Sequence, residues 1–175
     1  MYQFRDPIHG FIEVSDLELE IINSSPFQRL RNIRQLATTY LVYHGAEHTR
    51  FGHSIGVMHL VSRAFDSVVR KTKNLFSEDP KENETKILWY RQILRLIGLT
   101  HDLGHAPFSH ASEELFEEGK EHEDYTKSIL FETEIADFIN KIGEDFKSKY
   151  GDQYEISIIR DYNSGEVGSL WEKAS

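Results

Sequence analysis

Apolar residues recur along this chain with the spacing of helices more than strands. From residue 53 onward, Val57, Leu60, Val61, Ala64, Phe65 and Val68 fall three and four apart, which draws one face on a helix over 53–70. Ile93, Leu94, Ile97 and Gly98 mark a second helix, which resumes near 87 and leads into His101 and Asp102. The apolar surface around that segment predicts a central helix buried on most sides. Upstream, a helix is predicted at 16–23. SSPFQRLRNIRQL then starts another, with Ser25 as its cap, Pro26 at its first position, and Phe27, Leu30, Ile33 and Leu36 as its buried stripe. Downstream, further helices fit 109–118, 122–131 and 133–149.

The interruptions are equally informative. YQFRDPIHGFIEVS places a turn from Pro7 to Gly10 between two short runs, as in a β-hairpin. ATTYLVYHGAEHT is β-branched and aromatic and reads as a loop or short strand. NLFSEDPKENETK, at 74–86, is polar and charged and reads as a surface loop. Pro107 limits any continuation of the central helix. No internal repeat is present, and RDYNSGEVGSLWEKAS carries little period. The pattern predicts one mainly α domain over 1–175: a small hairpin at 1–15, a helical core at 16–149 and a loosely ordered tail at 150–175.

Composition supports a packed core, with 39% hydrophobic and 28% charged residues. No run approaches the ~18 apolar residues of a membrane span, so no membrane partner is expected. The absence of cysteine excludes disulfides and thiolate chemistry and fits a reducing cytoplasm. A formal charge of −9 argues against nucleic acid as a partner. Residues 28–50 run the other way: Arg29, Arg31, Arg34 and Arg50 stand against Glu47 alone. Such a segment is either a local anion site or a solvated helix face, and the residues alone leave both open.

The sharpest chemical signal is HDLGHAPFSH at 101–110, which crowds three histidines and an aspartate into ten residues without any sulfur nearby. A buried helix that ends in His-Asp is costly unless both side chains are satisfied. A divalent metal would satisfy them, and His53, at the head of the 53–70 helix, is the best third ligand. Nitrogen and oxygen donors without sulfur suit Mn, Fe, Zn or Mg. The pair alone also fits a hydrogen-bonded core histidine beside a capping aspartate. His105, His110 and His122 shift the balance toward a site.

HDLGH, preceded by RFGHSIGV at 50–57, resembles the HD-domain metal-dependent phosphohydrolases. The segments DPIHGFIEV, SPFQRLRNIRQL, HTRFGHSIGV and HDLGHAPFSH follow the order seen in the deoxynucleoside triphosphate triphosphohydrolases and their near relatives. The resemblance runs from Asp6 to about His122. It implies an HD-domain helical bundle with His53, His101 and Asp102 as metal ligands. It also implies phosphate-facing histidines at His105, His110 and His122, and a catalytic dyad of His110 with Glu113. Arg50 would meet a substrate phosphate, and Gln35 and Leu36 the sugar. The implied reaction is attack of metal-held water on the α-phosphorus of a dNTP, releasing deoxynucleoside and inorganic triphosphate.

The family's fourth ligand is an aspartate on a later helix, in a context like D-x-D-x-x-D-Y-L, and no such segment occurs here. Among Asp124, Asp137, Asp145, Asp152 and Asp161, the last comes nearest to that setting. The expectation is therefore the N-terminal part of a longer family member. Apolar surface left by a shortened helical wall would favour a homo-oligomer. Two other functions stay open: a catalytically silent nucleotide-binding or assembly module, and an HD phosphohydrolase of another nucleotide.

Overall fold

Asp6 and Gly10 shape the predicted hairpin. In this computed structural model, which describes residues 1–108, 112, 114, 116–154 and 156, strands β1 (Tyr2–Asp6) and β2 (Gly10–Val14) pair antiparallel with Tyr2 opposite Val14. The Asp6 carboxylate accepts the N–H groups of Ile8 and His9, each at 2.8 Å. Gly10 takes a φ of +78°, which a side chain would resist. Ile12 and Val14 alternate into the core.

Ser15 then starts α1 (Asp16–Asn23) with a reciprocal cap: its hydroxyl accepts the Glu18 N–H, and the Glu18 carboxylate accepts the Ser15 N–H. Helix α2 (Ser25–Gln28) is one turn that tightens into a 3-10 turn at Arg29–Asn32. Its capping position is Ser24, not Ser25, and the Ser24 hydroxyl donates back to Ile21 O instead. Phe27, Leu30 and Ile33 are buried as expected, but Leu36 is 45% exposed. The helical turn ends at Asn32 and Ile33 is extended, so a three-residue step no longer returns to the same face.

Helices α3 (Arg50–Lys71) and α4 (Pro80–Thr100) pack against each other closely. A Cβ on Gly98 would lie 3.1 Å from the Met58 backbone, so glycine sets that approach. The buried line of α3 is Phe51, Ser54, Ile55, Met58 and Ser62. The line expected through Leu60 and Ala64 faces outward, with Leu60 47% exposed. Two small serines share the true core face with Phe51, Ile55 and Met58, so hydrophobic spacing pointed to its flank. Helix α4 begins at Pro80, inside the stretch expected as loop. Asp79 accepts the Glu82 N–H at 2.8 Å and Pro80 occupies the first turn. Helices α5 (His122–Glu132) and α6 (Glu134–Tyr150) match expectation to about a residue. The helix expected over 109–118 and the tail beyond Ile156 fall largely or wholly outside the described residues. Among the described residues, no helix is long and apolar enough to cross a membrane.

A charged knot ties these elements together. Glu18 is 1% exposed, and Arg95 on α4 forks onto it at 2.7 and 2.8 Å. Arg95 also donates to Ser62 Oγ on α3 and to Glu13 O on β2. Burial pushes the Glu18 carboxyl up, but the bonds and charge of Arg95 outweigh it and hold the pKa below the usual range. The folded pKa being depressed, the contribution is complete above about pH 4.3 and is lost as pH falls through the lowered value. Glu18→Gln should cost about 2 kcal/mol near neutrality and flatten the acid side of the stability profile. Urea melts between pH 3 and 7 would show it. An acid limb identical to the parent's would rule out this pair as its source.

Candidate metal centre

Helix α4 stops at Thr100, and His101 is its C-cap, with its N–H bonded to Ile97 O. A tight turn follows, in which the Leu103 N–H bonds Thr100 O and the His105 N–H bonds Asp102 O. This turn presents His101 and Asp102 over the helix end. His101 Nδ1 donates to Gly98 O at 2.9 Å, which fixes the tautomer and leaves Nε2 as an acceptor. His53, one turn into α3, brings its Nε2 to 3.3 Å from that nitrogen. Asp102 Oδ1 is 3.4 Å from His101 Nε2, and Oδ2 is 3.6 Å from His53 Nε2.

The donor atoms of these three residues all lie within 4.8 Å of one another. Metal bonds of about 2.0–2.3 Å at angles between square and tetrahedral place neighbouring donors roughly 3–3.7 Å apart. The two imidazoles meet that test at 3.3 Å, and each has one Asp102 oxygen in that range, Oδ1 for His101 and Oδ2 for His53. Desolvation lowers the pKa of His53, against the pull of Asp102, which favours the neutral imidazole a ligand must be. Burial would raise the pKa of Asp102, but its interactions with His101, Arg50 and His105, with the Arg50 hydrogen bond, together outweigh it and keep the carboxylate ionised.

Arg50 is 2% exposed and its Nη1 donates to Asp102 Oδ2 at 2.6 Å. The residue expected against substrate phosphate is thus turned onto a candidate ligand. His105 is buried, with Nε2 3.5 Å from Asp102 Oδ1. Its ring stacks on His122, with centroids 3.8 Å apart. His122 opens α5, and Thr126 one turn later locks that helix to the His-Asp turn. The Thr126 hydroxyl accepts the Gly104 N–H at 2.9 Å and donates to His122 O at 3.0 Å.

The Gln35 N–H donates to His48 O, and the Arg50 N–H donates to Ile33 O, so residues 33–35 lie beside the start of α3. Gln35 Oε1 is buried without a hydrogen-bond partner among the described residues. Leu36 next to it is exposed. His110, Glu113 and Asp161 lie outside the described residues. Asp124 accepts the Glu121 N–H, Asp145 pairs with Lys149 and Asp152 with Lys147. No second carboxylate joins the cluster as a fourth ligand among the described residues.

The basic segment does not converge on one anion. Arg31 lies 3.5 Å over the Phe51 ring, and Arg34 lies 3.8 Å over Tyr40 while pairing with Glu47 at 2.6 Å. Arg29 reaches the other way, to the carbonyls of Leu103 and His105. Sequence reasoning did not anticipate this link, the Arg50–Asp102 pair or Thr126. A threonine one helical turn after His122 was the only local hint.

The HD-domain family pattern matches residues 50–160. The Bacillus subtilis protein YwfO is 39% identical over 169 residues, covering 95% of this chain and 35% of its own length. The deoxynucleoside triphosphate triphosphohydrolase SAMHD1 of Danio rerio is 44% identical over 116 residues, covering 66% of this chain and 17% of its own. The Gallus gallus SAMHD1 is 38% identical over 176 residues, covering 95% and 26%. The crystal structure of a hypothetical protein from Aquifex aeolicus superposes with a TM-score of 0.60 at 37% identity, covering 92% of this chain and 36% of that one. The chain therefore spans about a third or less of the length of these relatives. With those motifs carried on this helical frame, the chain belongs to the HD-domain family and is a homologue of the SAMHD1 proteins.

Proposed function

We propose that this chain carries the hydrolytic centre of a dNTP triphosphohydrolase, releasing deoxynucleoside and inorganic triphosphate. The observation that carries the reading is the convergence of His53, His101 and Asp102 from two helices at donor separations suited to one ion. These residues would hold Mn, Fe, Zn or Mg. A bound divalent ion supplies an acidified water and compensates charge on the phosphoryl group.

The surrounding side chains then have separate tasks. Arg50 holds Asp102 Oδ2 in place and balances its buried charge. His105 and His122, stacked beside Asp102, would donate to phosphate oxygens. His110, oriented by Glu113, would deliver the proton to the departing 5′ oxygen. Gln35, whose buried Oε1 lacks a partner among the described residues, would accept the sugar's 3′ hydroxyl, and Leu36 would crowd out a 2′ hydroxyl. The protein would work in the cytoplasm, as a single domain of this chain and a homo-oligomer.

Incubation with Mn and each dNTP, with product analysis, tests the reading. Triphosphate release that EDTA stops is expected, with ribonucleotides turned over poorly. Binding without turnover would favour a silent nucleotide module. Release of orthophosphate from a monophosphate instead would favour another HD phosphohydrolase.

A further inference from the structure

The turn that bears the candidate ligands is held from outside by one arginine. Both carbonyls that Arg29 bonds, those of Leu103 and His105, lie past the end of α4, where no N–H of that helix can reach them. The reach spans 74 and 76 residues of sequence, so it is not a local cap. A planar guanidinium that grips two carbonyls fixes both the height and the tilt of the backbone between them. Its positive charge also suits the negative end of α4. No carboxylate pairs with Arg29 among the described residues, and loss of water around the guanidinium lowers its pKa. The residue as a whole is exposed, so it fills no space in the core.

We propose that Arg29 is a positioning residue for the metal centre. Its two bonds set the 101–105 turn, and through it the approach of His101 and Asp102 to His53 and the stacking of His105 on His122. The proposal rests on the metal reading above for its functional consequence, but its structural half can be read in metal-free protein.

The test compares the parent chain with Arg29→Gln, Arg29→Lys and Arg31→Gln. Arg31 starts from the same 3-10 turn but stacks on Phe51, and serves as the control. In metal-free protein, Arg29→Gln should lose amide-exchange protection at Leu103 and His105 and shift the ring NMR signals of His105 and His122. Its melting temperature should stay within a few degrees of the parent, since no packed group is removed. In Mn titrations it should bind roughly tenfold more weakly, in line with losses of outer-shell partners. Arg29→Lys should recover part of that loss, because an ammonium reaches one carbonyl but cannot fork onto two. Arg31→Gln should match the parent in every readout.

Unchanged exchange and ring signals in Arg29→Gln would overturn the proposal, as would an equal response from Arg31→Gln. A Gln variant that fails to fold would point to a general structural role and also overturn it, unless Arg29→Lys folds and shows the local shifts. If the parent binds no Mn, the metal reading fails by itself, and the exchange and ring signals alone decide whether Arg29 sets the turn.

Discussion

Asp102→Ala should abolish divalent-metal binding and hydrolysis together, and should also cost about 3–5 kcal/mol of stability. The first effect follows from position: Asp102 is the one carboxylate in the three-residue cluster. The second follows from Arg50, which is buried and bonds Asp102 Oδ2 at 2.6 Å. Removing the carboxylate takes a charged partner from a buried guanidinium. Asp102→Asn keeps an acceptor for Arg50 and should cost less stability, yet lose metal binding as fully. A double change, Arg50→Met with Asp102→Leu, should recover much of the stability and none of the binding, because it removes both charges. Denaturant melts and Mn titrations on the three variants separate the effects. Parental turnover in Asp102→Ala would end the metal account; parental stability would mean that the Arg50 pair contributes nothing.

Gly104→Ala should impair catalysis and metal binding together. A Cβ at Gly104 would lie 2.0 Å from His122 O, 2.4 Å from Thr126 N and 2.7 Å from Thr126 Oγ1. Two of these atoms are backbone and cannot swing aside, so α5 or the turn must move. Overpacking of this kind costs about 1–3 kcal/mol or more. The displacement falls between His105 and His122, whose rings stack at 3.8 Å, and in the same turn that presents His101 and Asp102 to His53. Turnover should therefore fall roughly 100-fold, as for an ångström-scale misplacement, with Mn binding weakened as well. Thr126→Val, which deprives the Gly104 N–H of its acceptor and His122 O of a donor, should cost about 1–3 kcal/mol without that steric shift. A Gly104→Ala protein with parental melting and turnover would show that the close approach has no role.

The hairpin, α1, α5 and α6 were legible because local signals there agree with the tertiary outcome. Ser15 and Glu18 spell a cap, and Pro7 to Gly10 spell a turn. The core face of α3 was not legible, since Ser54 and Ser62 occupy buried positions that a hydrophobic pattern skips. Ser62 is used to bond Arg95, a partner 33 residues away. The start of α4 was masked by its own charges, although Asp79 and Pro80 carried the correct signal. In the site, the placement of His53, His101 and Asp102 could be read from donor type and motif. The inward turn of Arg50 could not, because it depends on where Asp102 sits in space. Gly104 looks like one more small residue in a motif until the carbonyl of His122 is placed against it.

The most direct test of the central claim is a calorimetric titration of Mn into the parent chain and into His53→Ala. His53 comes from a different helix than the other two donors, so it reports on their convergence and not on the motif alone. The parent should bind one ion per chain saturably and His53→Ala should lose that binding, with both proteins folded by thermal melt. Equal binding in the two, or no binding by a folded parent, would contradict the claim.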